Sequence, residues 1–122
     1  MAQPLPRLWV KAHERKRQER EALRLRVLEQ VDQTLHSLVE KYQWRECYLF
    51  GSILYPGRFG PDSDVDIAVE GLGKHDLYRL VGELSMILER EVDVVILEES
   101  HLAGPIRTRG RLWSPKKQLP SS

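Results

Sequence analysis

Residues 64–97 constrain the fold more than any other stretch. Two β-branched runs, DVDIAVE and EVDVVIL, flank a segment whose apolar positions recur at helical spacing. A strand, a helix and a strand in that order imply two parallel strands joined by a right-handed crossover, because a tight turn joins only antiparallel neighbours. Alternation along the first strand puts Asp64 and Asp66 on one face, and Val65, Ile67 and Val69 on the other, toward a core. In the second run Asp93 interrupts an apolar stretch that reads as a central strand, on the face of Val95 and Leu97. An unpaired aspartate buried there costs several kcal/mol and so implies a partner. The crossover brings Asp93 beside Asp64 and Asp66.

Adjacent carboxylates in a low dielectric repel, and their ordinary compensation is a divalent cation. Hard cations such as magnesium select carboxylate oxygens and bring substrate phosphates with them. By itself an Asp-x-Asp pair also fits an exposed edge strand with solvated acids, and Asp93 also fits a helix cap or an ion pair. Upstream, Tyr48, Leu49 and Phe50 read as a buried strand ending in Gly51-Ser52, with Ile53 and Leu54 opening a helical turn. Glycine there lets backbone approach a ligand closely. A serine hydroxyl beside the free amides of a helix start suits a phosphate.

The rest of the chain predicts a single small α/β (α+β) domain, a small mixed β-sheet packed with helices. Leu28, Val31, Leu35, Leu38 and Tyr42 form the apolar stripe of a helix over residues 20–43. A second helix over 75–89 carries Leu77, Leu80, Val81, Leu84, Ile87 and Leu88 on one side and links the two acidic strands. A short helix is expected over 99–108, ending near Gly110, followed by a last strand at Leu112 and Trp113. Residues 1–6 read as a flexible lead, 7–113 as the domain and 114–122 as a polar tail. A chain of 122 residues with a net charge of +1 gives no global argument for nucleic acid, and direct nucleic-acid binding is not expected. No apolar run approaches membrane length and the first residues lack the apolar stretch of a secretory signal, so the expected location is the cytoplasm, with no membrane partner. Cys47 cannot form an internal disulfide and reads as a small core residue. His13, His36, His75 and His101 lack metal-ligand spacing and read as structural or solvated. Residues 11–26 hold seven basic and three acidic side chains; they read as a solvated helical extension with i,i+4 charge pairs, or as a docking surface for a partner protein or RNA.

Taken together, Gly51-Ser52, then Ser63-Asp64-Val65-Asp66, then Val92-Asp93-Val94-Val95 resemble the nucleotidyltransferase fold of the DNA polymerase β superfamily. Residues 20–113 carry the likeness, and its nearest form is the minimal nucleotidyltransferase, or MNT, commonly paired with a HEPN partner in toxin–antitoxin modules. The resemblance implies ATP as substrate over Gly51, Ser52 and Ser63, and two magnesium ions held by Asp64, Asp66 and Asp93, the catalytic carboxylates. It implies that Asp93 assists removal of a proton from the acceptor hydroxyl. Members of the family continue after Gly-Ser with a small residue, an arginine and a glycine. This chain has Ile53-Leu54-Tyr55-Pro56-Gly57-Arg58, one residue longer, and Arg58 is expected to supply the guanidinium from a shifted place.

A one-domain transferase without added acceptor-binding domains borrows its acceptor from a partner. The resemblance therefore implies an antitoxin that transfers AMP to a tyrosine hydroxyl of a HEPN ribonuclease toxin. Homo- and hetero-oligomers both fit the sequence. Two alternatives stand beside it: an antitoxin that masks its partner by binding, with little or no catalysis, and a small-molecule transferase similar to antibiotic nucleotidyltransferases.

Overall fold

The computed structural model describes residues 6–115, so the expected lead and tail lie mostly outside the described residues. Among the described residues the first element is a 36-residue helix, α1 (Arg7–Tyr42). Its second half is held by the expected stripe, since Leu28, Val31, Leu35, Leu38 and Tyr42 are all buried. The charged segment continues the same helix, and residues 7–20 are exposed along their whole length. At the end of α1, Gln43 takes a left-handed backbone conformation (φ 53°) and donates its N–H to the Val39 carbonyl at 2.7 Å.

Four strands follow, β1 (Glu46–Phe50), β2 (Val65–Glu70), β3 (Val92–Ile96) and β4 (Arg111–Trp113), in the spatial order β3-β2-β1-β4. β2 and β3 are parallel and joined through α2 (Lys74–Leu88), whereas β1 runs antiparallel to both β2 and β4. The sheet is mixed and the domain α+β, in agreement with the sequence. One expectation fails: β3 is an edge strand rather than a central one. Its apolar composition arises because both of its faces are partly covered. Val92 and Val94 pack with the α2 side, and Val95 leans on a smaller cluster opposite.

α2 presents Leu80, Leu84 and Leu88 inward with Leu77 and Val81 at the margin. Ile87, expected among them, lies at the edge of that stripe near the helix end and is 52% exposed. The helix expected over 99–108 begins later, at Ala103, as α3 (Ala103–Arg109), after a separate 3₁₀ turn at Leu97–Glu99; its Pro105 is tolerated because it sits in the first turn.

The main core lies between α1, α2 and the sheet face carrying Cys47, Leu49, Val65, Ile67, Val69 and Trp113. Burial alone pushes the Cys47 thiol far up, as suits a core residue. The Trp113 indole donates to Asp32 at 2.9 Å and ties β4 to α1. On the opposite face a smaller cluster of Tyr48, Ala68, Leu97 and Ile106 seats α3 over one end of the sheet. The other end of that face stays open. Among the described residues no helix is long and apolar enough to cross a membrane.

Candidate active site

The open end of the second sheet face carries the acids. Pairing of β1 with β2 sets Phe50 opposite Asp66, and pairing of β2 with β3 sets Asp66 opposite Asp93. Asp64 immediately precedes β2, two residues before Asp66 and on the same side. The crossover thus brings together the three carboxylates named from sequence. Asp66 is half-buried, while Asp64 and Asp93 are exposed. Burial had been expected for Asp93, but β3 lies at the edge and α3 covers only the far end of this face. Asp64 and Asp93 also line a groove of about 430 Å³ with Val81, Ser85, Glu91 and Val92.

The electrostatics are those of an unmet need. The Asp66 carboxyl is pushed up to about 6, first by burial and then by the charges of Asp93 and Asp64. No hydrogen bond or ion pair reaches the carboxylates of Asp64, Asp66 or Asp93 among the described residues.

Gly51 closes over this group. Its backbone (φ 83°) passes so near Asp66 that a Cβ would lie 2.2 Å from the carboxylate Oδ2, so no side chain fits. A 3₁₀ turn at Ser52–Leu54 follows, closed by the Leu54 N–H to the Gly51 carbonyl and the Tyr55 N–H to the Ser52 carbonyl, both 3.1 Å. The Ser52 hydroxyl has no partner among the described residues.

The turn is braced by a residue that the sequence reading had placed on a solvated face. Arg24 is wholly buried; its Nη1 donates to the Ile53 carbonyl at 3.0 Å, and its Nε and Nη2 bond Glu21 at 3.0 and 2.6 Å. The Arg24 guanidinium in turn holds the Glu21 carboxyl below its usual range. A signal for this was present: Arg24 falls four residues before Leu28 and seven before Val31, on the buried stripe.

Of the other predicted ligands, Ser63 uses its hydroxyl oxygen to accept the Gly60 N–H at 2.9 Å, which leaves its proton free to be donated. Arg58 is exposed and lies over the Tyr55 ring at 5.7 Å, without a carboxylate partner.

The donor chemistry fits a hard divalent cation: oxygen ligands only, one of them held unfavourably charged by its neighbours. As they lie, however, no three acidic, histidine or cysteine side chains among the described residues converge tightly enough to grip an ion.

The family described as polymerase beta, nucleotidyltransferase matches residues 33–113. Among solved structures, a toxin-antitoxin crystal structure with AMP-PNP is similar, with 26% identity and a TM-score of 0.58 over 68% of this chain and 72% of that one. No curated protein matches the sequence.

Proposed function

Because the chain belongs to the polymerase beta nucleotidyltransferase family, we propose that it transfers AMP from magnesium-bound ATP to a tyrosine hydroxyl of a HEPN ribonuclease toxin and so acts as its antitoxin. The observation that carries the transferase reading is the pairing of Asp66 with Asp93 beneath the side-chain-free backbone of Gly51. Likeness to a toxin-antitoxin structure holding a nucleotide analogue supports the partner class.

In this reading Asp64, Asp66 and Asp93 would hold the magnesium, which when bound would supply charge neutralisation for the leaving pyrophosphate and a lower pKa for the acceptor hydroxyl. The chain's own groups do the rest. Gly51 keeps the backbone flush against Asp66, so that phosphates can approach the acids. The unpartnered Ser52 hydroxyl donates to a phosphate oxygen, and the exposed Asp93 accepts the tyrosine proton. The tyrosine oxygen then bonds to the α-phosphorus as the bond to pyrophosphate breaks.

The test is incubation of the purified chain with α-labelled ATP, magnesium and the product of the adjacent gene. Label is expected on the partner and lost when its acceptor tyrosine is changed to phenylalanine. An unlabelled partner would overturn the transfer. Stoichiometric masking is the second reading, favoured by the altered loop after Ser52, Ile53-Leu54-Tyr55-Pro56-Gly57-Arg58, which is one residue longer than the family's pattern. An Asp64/Asp66 double variant that protects cells fully from the partner would establish masking in its place.

A further inference from the structure

Asp64 stands outside β2, at the end of the long connection from β1, yet its backbone is held on both sides by one short segment. On its N-terminal side the Ser63 carbonyl accepts a hydrogen bond from Arg90 Nη1 at 2.5 Å. On its C-terminal side the Val65 N–H donates to the Glu91 carbonyl at 3.1 Å. Asp93 follows two residues after Glu91. Residues 90–91 therefore bracket one carboxylate of the site and lead directly into another.

The grip of Arg90 is wider than one bond. The same Nη1 reaches the Pro61 and Gly60 carbonyls at 3.3 and 3.4 Å, and the guanidinium lies over the buried Phe59 ring at 4.7 Å. The turn is closed on itself by the Ser63 N–H to the Gly60 carbonyl at 3.1 Å and the Gly60 N–H to Ser63 Oγ. Arg90 has no ion pair among the described residues, although Glu89 and Glu91 adjoin it in sequence. Its Nη1 is committed to carbonyls and its flat face to a ring, a use that suits a planar guanidinium.

We infer that Arg90 is the positioning residue for Asp64, setting that carboxylate against Asp93 through the Ser63 carbonyl. This rests on the reading of Asp64, Asp66 and Asp93 as the cation-holding group. Residues that orient metal ligands without touching the metal typically contribute about tenfold to a hundredfold in affinity.

The experiment uses the full chain with manganese ion alone as the probe. Binding is read from loss of the free-ion electron paramagnetic resonance signal, beside amide hydrogen exchange and thermal melting. Arg90→Gln is expected to weaken binding about tenfold. It should also speed exchange at the Val65 amide while leaving exchange in β1 and the melting temperature near those of the parent. Arg90→Lys, which keeps a cationic donor, should recover most of the affinity. Parent-like binding by Arg90→Gln, or a loss of protection spread across the whole sheet, would overturn the inference. If the parent and Asp66→Asn both bind no manganese, the metal reading itself has failed. In that case the Val65 exchange alone decides whether Arg90 positions Asp64, and unchanged exchange says that it does not.

Discussion

Glu46 stands opposite Glu70 at one end of the sheet and Asp66 opposite Asp93 at the other, all on the same face. At the Glu46 end the repulsion is met from within the chain. Arg107 of α3 donates to Glu46 at 2.8 Å and to Glu70 at 3.3 Å, and Arg45 approaches Glu70 at 3.5 Å. The Arg107 guanidinium accordingly holds the Glu46 carboxyl below its usual range. At the Asp66 end no side-chain cation arrives, and the carboxyl is driven the other way, to about 6. The same arrangement of like charges is thus neutralised where α3 is seated and left unpaired at the end proposed to take the nucleotide.

The strongest way to break the comparison is to remove one charge at the open end. Asp66→Asn should lower nucleotidyl transfer by about a thousandfold or more, a loss of roughly 4 kcal/mol of transition-state stabilisation. It should leave the fold intact and, without divalent cation at neutral pH, slightly more stable, because a repulsion is relieved. Steady-state transfer assays beside thermal melts check both parts, and a destabilised variant would assign Asp66 to the scaffold.

Next in size is the pH dependence of stability. The folded pKa of Asp66 lies above its ordinary value, so the native state holds this proton more tightly than the unfolded chain does. The associated stability is full below the ordinary carboxylate range and is lost as pH rises through about 6. For a half-exposed group, solvent screening reduces the effect to about 1 kcal/mol. Denaturant titrations from pH 4 to 8 should show this decline in the parent and its absence in Asp66→Asn, and magnesium at pH 8 should restore stability to the parent alone.

The smallest effect is expected at the neutralised end. Glu46 has a lowered pKa, so its contribution is present above the ordinary carboxylate range and lost as the pH falls through its folded value. Arg107→Ala should remove that acid-side loss and cause a small, salt-sensitive drop in thermal stability. Transfer should be unchanged. A fall in transfer matching that of Asp66→Asn would erase the functional difference between the two ends.

Much of this site was legible in the chain because two local rules combine. Alternation along a strand separates Asp64 and Asp66 from Val65 and Ile67, and a helix of the length of α2 between two strands forces them parallel, so Asp93 arrives beside Asp66. The stripe of α1 from Leu28 to Tyr42 was legible for the same reason. Ile87 was assigned inward by a periodicity that does not say where the covered surface stops. β3 read as central because a β-branched run records how much of a strand is covered, not how many neighbours it has.

The two arginines show a different limit. Arg24 lies on the buried stripe, but its charge and its basic neighbours make it read as solvated; its burial depends on Glu21 one turn away together with the Ile53 carbonyl, 29 positions away. It also lies upstream of residue 33, where the family likeness begins. Arg90 sits beside acids that would be its obvious partners in sequence, and it instead grips carbonyls nearly thirty residues back.

By itself, then, the sequence determined the order of elements, the parallel pair and the meeting of three carboxylates, since these follow from periods of two and 3.6 residues and one crossover rule. Tertiary structure alone decided which acids stay unpaired, which strand lies at the edge and which arginines brace the loop between Gly51 and Asp64. Those outcomes depend on where distant carbonyls and guanidinium groups come to rest, and no local period encodes that distance.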